Sequence, residues 1–265
     1  MKKIIFQFFV LVALFFGLWF LLSNINWMTA FKVEKLTDDT EIKIGKAVWD
    51  LYKKTEKENK DEKAVNALDS IVDKICTKND INRKTIKVHL IIKDDINAFA
   101  MPGGHLVVYS GLIKASDNPD ELAGVMAHEI SHIELGHVMK KLIKEVGLSV
   151  LVSMTSGNGG GETIKQVSKI LSSSAFDRKL EKEADISAVE YLINAKINPE
   201  SLAEFLYKLS ENKEEQSAYE TWLSTHPDSK KRAEYILAYS KDKLIKSEPA
   251  LSESTWKNLV QNASE

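Results

Sequence analysis

Cysteine is nearly absent from the sequence, and so is any excess of positive charge. Cys76 is the single cysteine in 265 residues, which excludes an internal disulfide and a cysteine-based metal site. Its helical spacing from Leu68 and Val72 predicts a buried structural thiol. The formal net charge of −2 excludes a broad basic field, so no nucleic-acid partner is expected. A hydrophobic content of 44% and a charged content of 28% are typical of a globular chain with one sizeable core.

Only one long apolar run is present. It extends from Ile4 to Leu22, is interrupted only by Gln7, and follows Lys2 and Lys3. Such a run is long enough to cross a bilayer as a helix and is longer than most signal-peptide cores. No convincing small-x-small cleavage site follows it, which favours an uncleaved transmembrane anchor over a cleaved signal peptide. Because the two lysines should stay inside, the rest of the chain is expected outside the cytoplasm.

A small sheet is predicted within an otherwise helical remainder. Runs of β-branched residues flank a turn at residues 102–104, which predicts an antiparallel sheet with a hairpin. His89 and His105 lie on these strands and are interpreted as half-exposed strand residues rather than ligands. The sequence shows no internal repeat. Residues 31–265 are therefore predicted to form one α+β, mainly helical domain after an anchor of residues 1–30.

Three of the six histidines fall within the stretch GVMAHEISHIELGH, residues 124–137. A helix should begin shortly before it, because Asn118 is a good N-cap followed by proline. His128 and His132 then share one helix face, where both imidazoles can bind the same metal ion, and Glu129 can reach a water on that ion. A helix that exposes polar residues would explain the glutamate, but not two histidines at ligand spacing in an apolar stretch. The pattern favours a metal site.

Two histidines leave a zinc ion one ligand short, because a catalytic zinc usually takes three protein ligands. His137 does not have the spacing by which one class of zincins returns a third histidine to the metal. If the helix simply continues, His137 projects about 140° away from His132. His137 is therefore expected to support a ligand or to pack beside one.

The stretch KLEKEADISA supplies the acidic candidates for the third ligand. Glu181 and Asp185 are four residues apart and share a helix face, whereas Glu183 projects about 160° from Asp185. A zinc-bound histidine usually donates its other N–H to a carboxylate. We therefore expect Glu181 to be the ligand, Asp185 to be the carboxylate behind a histidine, and Glu183 to be a solvated charge. Without the upstream histidines, an exposed acidic helix face would be favoured.

Four motifs, in this order, resemble those of the M48 zinc metallopeptidases. NAFAMPGGHLVVYSGLI is followed by HEISH with a later GH, then by EKEAD, and then by THP with a later arginine. They extend from Asn97 to Arg232, about half the chain, and are jointly highly specific. The resemblance implies a gluzincin arrangement with one zinc ion, in which His128, His132 and Glu181 are ligands and Glu129 is the catalytic base.

The resemblance also implies that His226 and Arg232 lie near the metal. There both residues could stabilise an oxyanion, or His226 could occupy the open zinc position in a resting state. From the residues alone, His226 would be interpreted as a helix-start residue before Pro227. Some members of the family have several membrane spans and process lipidated proteins. The single span here implies the soluble-domain branch that is linked to envelope protein quality control.

Two classes of function fit these features. The first is a membrane-anchored zinc endopeptidase that hydrolyses unfolded or misassembled envelope proteins, on the periplasmic side if the source is Gram-negative. Its extended NAFAM segment would pair with the substrate backbone as an edge strand. The second is a non-catalytic, zinc-stabilised holdase or assembly factor that binds clients in the same cleft. Because the base and the ligands are all present, the enzyme is favoured.

Overall fold

Helices form most of the structure, and one short sheet lies between the third and fourth helices of the chain. The computed structural model describes residues 2–23, 38–155, 160–211, 216–243 and 246–264. The strands are β1 (Lys87–Ile91), β2 (Ala98–Met101) and β3 (His105–Tyr109). The helices are α1 (Lys2–Ser23), α2 (Asp38–Thr55), α3 (Glu62–Lys78), α4 (Ser110–Ala115), α5 (Pro119–Glu134), α6 (His137–Val146), α7 (Leu148–Thr155), α8 (Gly161–Ser173), α9 (Arg178–Asn194), α10 (Ser201–Glu211), α11 (Gln216–Thr225), α12 (Ser229–Ser240) and α13 (Glu253–Asn262).

The chain divides into two compact units, Met1–Thr40 and Glu41–Glu265. The predicted boundary between residues 30 and 31 lies outside the described residues. The apolar run forms α1, in which described side chains such as Phe9 and Phe16 are exposed. Within the ranges that the structure describes, no helix is both long and apolar enough to be identified as a membrane span.

The sheet is mixed, so the prediction of an antiparallel sheet is wrong for one of its two strand pairs. The strand order is β1-β3-β2. β2 and β3 form the predicted antiparallel hairpin, but β1 runs parallel to β3, with Lys87 opposite His105 and Ile91 opposite Tyr109. The predicted α+β class is confirmed.

Gly104 explains why β3 enters the sheet beside β1. The residue has a φ of 77°, in the left-handed region, and a Cβ atom at this position would lie 1.8 Å from the backbone oxygen of Thr85. Thr85 lies just before β1. Only glycine permits this approach, and the approach places the first residues of β1 and β3 side by side.

Both faces of the sheet are buried, and the alternation of side chains divides the core. Leu106 and Val108 of β3 pack into a cluster with α3, α5, α9 and α10. Val107 and Tyr109 pack on the other face, against α2 and helices α6 to α8. Cys76 is buried in the first cluster, as its spacing predicted.

The helix that carries the H-E-x-x-H pattern is central to this arrangement. α5 begins as predicted, since the Asn118 side chain accepts hydrogen bonds from the backbone N–H groups of Asp120 and Glu121, both at 3.0 Å. It packs against α9, α10 and β2. The contact with α10 is close at Gly124, where a Cβ atom would lie 3.0 Å from the Cα atom of Leu202. The part of α5 that carries Gly124 is thereby fixed against α10.

His105 corrects a second expectation about the sheet. It is only 5% exposed rather than half exposed, and His89 is partly buried. Nε2 of His89 lies 2.8 Å from Nδ1 of His105, and Nδ1 of His89 lies 3.0 Å from Glu58. The ring of Trp49 stacks on His89 at a centroid distance of 3.6 Å. This aromatic cluster packs α2 against the sheet.

Candidate metal centre

The helix α5 presents His128, Glu129 and His132 in one fully buried group. The two histidines are one helical turn apart, and their Nε2 atoms lie 3.1 Å from each other. Both imidazoles therefore direct the same nitrogen at one point, as the spacing predicted. One oxygen of Glu129 accepts a hydrogen bond of 2.9 Å from the backbone N–H of Ala100 in β2. The edge strand of the sheet thus lies directly beside the glutamate.

The helix α9 presents Glu181 and Asp185 from the opposite side. Both carboxylates are buried, as expected for residues that share a helix face. Glu181 lies 3.3 Å from Nε2 of His132 and 3.7 Å from Nε2 of His128. Asp185 lies 2.9 Å from Nδ1 of His128, on the side of the ring that faces away from the point where the Nε2 atoms meet.

A turn after α5 changes the direction of His137 from the one that a continuous helix would give. α5 does not continue: it ends at Glu134, Gly136 adopts a φ of 64°, and α6 begins at His137. The 140° projection from His132 therefore does not apply. Nδ1 of His137 lies 3.0 Å from Nδ1 of His132. Glu183 is 44% exposed, but it also contacts His137, so its interpretation as a purely solvated charge is incomplete.

His226 and Arg232 approach the group from the C-terminal helices. His226 follows directly after α11, with Nδ1 at 3.2 Å from Glu181 and Nε2 at 3.4 Å from Glu129. Arg232 lies on α12 and contacts Glu181 at 2.5 Å and Asp185 at 2.7 Å. The structure thus brings together the site residues that spacing predicted, namely His128, Glu129, His132, Glu181 and Asp185. It also places beside them His226 and Arg232, which the family resemblance implied.

The geometry of the group fits a zinc ion. One donor atom from each of His128, His132, Glu181 and His226 lies within 4.8 Å of the others, and all four residues are buried. Ligands at zinc distances in a tetrahedron are about 3.3 Å apart, which is close to the separations of the two imidazoles and the Glu181 carboxylate. The donors are nitrogen and oxygen atoms, the types that bind catalytic zinc. The buried Oε1 of Glu129 has no hydrogen-bond partner among the described residues and lies 3.4 Å from Nε2 of His226.

The charges of the group suit a divalent cation. Burial lowers the pKa of His132 and of His226 to about 4, so both imidazoles are neutral, as metal ligands must be. Burial acts to raise the pKa of Glu181, but Arg232 and His226 outweigh it and hold that pKa well below its usual range. Burial and the neighbouring charge of Glu181 raise the pKa of Glu129. A cation beside Glu129 would act in the opposite direction and favour its ionised form.

Two further residues, which no sequence pattern identified, pack against His132 directly or through a neighbouring side chain. The ring of Phe176 stacks on His132 at a centroid distance of 3.9 Å. Lys141 is buried, donates to the carbonyl of Ser174, and places its Nζ 4.3 Å from the centre of the Phe176 ring. Spacing could have flagged Lys141, because it lies three residues after Val138 on the buried face of α6. Phe176 is the only aromatic residue between α8 and α9, which is a weaker signal.

Comparisons with known proteins agree with this geometry. A sequence model of peptidase family M48 matches residues 62–240. Metalloprotease LoiP of Escherichia coli (strain K12) is 34% identical over 165 residues, which cover 60% of this chain and 64% of that protein. The beta-barrel assembly-enhancing protease of Yersinia pestis is 32% identical over 160 residues, or 55% of this chain and 32% of that protein. The mitochondrial metalloendopeptidase OMA1 of Arabidopsis thaliana is 30% identical over 148 residues, or 56% of this chain and 30% of that protein. The matched region thus spans between about one third and two thirds of these relatives.

Proposed function

The chain belongs to peptidase family M48, and from that premise we propose that it is a zinc-dependent endopeptidase. One observation carries the proposal: the buried donor atoms of His128, His132 and Glu181 converge beside the carboxylate of Glu129. That arrangement supplies a metal site and a general base within one pocket.

His128, His132 and Glu181 would hold one zinc ion per chain. When bound, zinc supplies a Lewis acid that polarises a peptide carbonyl and lowers the pKa of a nearby water. Glu129 takes a proton from the attacking water and passes it to the leaving amine. Its place beside the ligands, without being one of them, supports this role.

The other buried residues would orient the metal ligands or offset negative charge on the substrate. Asp185 lies 2.9 Å from Nδ1 of His128, where it would accept that N–H and so keep Nε2 available to the metal. Arg232 neutralises the Asp185 and Glu181 carboxylates and can offset negative charge that develops on the substrate. His226 contacts both Glu181 and Glu129, which supports either a resting-state contact with the metal or oxyanion stabilisation.

The edge strand β2 is the proposed substrate-binding element. It lies at the edge of the sheet and its Ala100 N–H reaches Glu129, so a peptide added along β2 would lie beside the base. Backbone pairing recognises extended chains more than particular sequences. Unfolded or misassembled envelope proteins are the substrates we propose, in keeping with the name of the beta-barrel assembly-enhancing protease.

The N-terminal region is proposed to anchor the enzyme in a membrane, with the catalytic unit outside the cytoplasm. The proposal rests on the run from Ile4 to Leu22 and on Lys2 and Lys3. A reporter fused to the C-terminus, active only outside the cytoplasm, should be active, and the protein should sediment with membranes. An inactive reporter on a soluble product would overturn this topology.

Cleavage of an unfolded protein separates the enzyme from a holdase. Zinc-loaded wild type should cut casein, and Glu129→Gln should retain zinc but lose the cleavage, because Glu129 is not a ligand. Glu134→Gln is the matched control, since it removes an exposed carboxylate from the same helix. If the wild type suppresses aggregation of unfolded proteins but cuts neither casein nor an envelope protein, the chain is a holdase.

A further inference from the structure

His137 is a buried histidine to which the mechanism above assigns no task. It is fully buried, and its Nδ1 lies 3.0 Å from Nδ1 of His132. The left-handed turn at Gly136 makes this contact possible, because it directs the first residue of α6 back towards the end of α5. His137 therefore lies behind one of the two proposed histidine ligands.

The proposed role of His132 as a metal ligand determines which ring nitrogens carry hydrogen in this contact. Nε2 of His132 faces the metal position, so its lone pair must be free and the proton of the neutral ring must be on Nδ1. That N–H can only donate to His137, whose Nδ1 must accept. The proton of His137 is then on Nε2, which lies 3.3 Å from Oε2 of Glu183. Nε2 of His137 forms no hydrogen bond with the described residues, and the Glu183 carboxylate is the acceptor that lies within reach of its N–H.

The two proposed histidine ligands are supported in different ways by the same helix. Asp185 of α9 contacts Nδ1 of His128 directly. Glu183 lies on another side of α9 and contacts His137 instead, with its second oxygen 3.8 Å from Lys179. The imidazole of His137 lies between the Glu183 carboxylate and the His132 ring.

From this geometry we propose that Glu183 and His137 form a relay that positions His132 for metal binding. The inference rests on the proposed function, since it takes His132 as a zinc ligand. Glu183 and His137 are positioning residues, because neither side chain reaches the metal position. Carboxylates behind metal-bound histidines typically contribute about 10- to 100-fold in affinity. Because Glu183 is 44% exposed, we expect its share to lie at or below the lower limit of that range.

Zinc affinity of the purified full chain tests the relay without any measurement of activity. Glu183→Gln should weaken zinc binding about threefold to tenfold in a chelator competition assay, and His137→Leu should weaken it more. In cobalt-substituted protein, both variants should shift the ligand-field absorption bands, because the His132 ring is reoriented. Glu145→Gln is the control, since it removes an exposed carboxylate from the same helix as His137 and should change neither quantity.

A double-mutant cycle distinguishes a relay from general destabilisation. If Glu183 acts through His137, then Glu183→Gln should have no further effect on zinc affinity in a His137→Leu background. Additive losses would overturn the relay, and so would a Glu183→Gln variant that binds zinc like Glu145→Gln. Should His137→Leu fail to fold, His137→Gln replaces it in the cycle. A wild type that binds no zinc would instead overturn the proposed function, together with the inference that depends on it.

Discussion

Arg232 holds both carboxylate oxygens of Asp185, with hydrogen bonds of 2.8 Å from Nε and 2.7 Å from Nη2. The same carboxylate lies 2.9 Å from Nδ1 of His128. All three side chains are buried. A planar guanidinium matches a carboxylate in this paired geometry, so α12 is coupled through α9 to a proposed ligand on α5.

Loss of Arg232 should destabilise the protein strongly. Arg232→Met would leave Asp185 and Glu181 as buried carboxylates without their cation. Breaking a buried pair in this way typically costs about 3–5 kcal/mol. Denaturant unfolding of zinc-free protein measures the effect, and Lys230→Met on the exposed side of the same helix is the control. A loss of less than about 1 kcal/mol would contradict the account.

Loss of the Asp185 charge should weaken zinc binding without abolishing it. Asp185→Asn keeps the size of the side chain but no longer fixes the proton on Nδ1 of His128. We expect the zinc affinity to fall about 10- to 100-fold. Asp94→Asn, which changes an exposed aspartate, should bind zinc like the wild type. Unchanged affinity in Asp185→Asn would show that the contact with His128 does not support the metal site.

Stability should fall in acid partly because of the paired histidines of the sheet. Burial lowers the pKa of His89 to about 4, and burial together with the nearby His89 ring lowers that of His105 to about 3. In the unfolded chain both groups titrate near 6.5. As the pH falls from 6.5 to 4, the unfolded chain therefore takes up these protons first and the free energy of unfolding decreases.

At about 1.4 kcal/mol per pH unit for each imidazole, the contribution of the pair is on the order of 5 kcal/mol across this interval. The free energy of unfolding of zinc-free wild type and of a His89→Gln, His105→Gln variant should be measured at several pH values. The variant should show the shallower dependence between pH 4 and 6.5. Parallel curves for the two proteins would contradict this prediction.

Gly104 should not tolerate a side chain. Gly104→Ala would place Cβ 1.8 Å from the Thr85 oxygen and would force alanine into a left-handed conformation. We expect a loss of more than about 2 kcal/mol in the free energy of unfolding. Gly160→Ala is the matched control, because no atom lies within 4 Å of its Cβ position and its φ is −58°. Equal stability of the two variants would refute the explanation given for the parallel strand pair.

Local patterns were sufficient to predict the parts of the site that lie on single helices. The cap at Asn118 follows from the asparagine-proline helix start. The shared face of His128 and His132 and the inward face with Glu181 and Asp185 follow from helical periodicity. The direction of β1 was not predictable in this way. It depends on the close approach of Gly104 to the backbone oxygen of Thr85, and no pattern of residues within β1 indicates that contact.

The direction of His137 was not predicted, and the contact of Phe176 was missed, for a related reason. The projection of His137 was derived from a continuous helix, whereas the turn at Gly136 starts a new one. Phe176 lies in a connection between two helices, where periodicity gives no direction, and it reaches His132 only through tertiary packing. Sequence patterns specify faces of regular elements, but not where a turn directs the next side chain.

Zinc content tests the central claim most directly, namely that His128, His132 and Glu181 form a metal site. Wild type and Glu181→Gln should be purified, equilibrated with zinc, dialysed, and measured by atomic spectroscopy. The account predicts about one zinc ion per chain in the wild type, because the three residues complete a catalytic zinc site, and well below that in the variant. A wild type without zinc, or a Glu181→Gln variant that keeps a full equivalent, would contradict it.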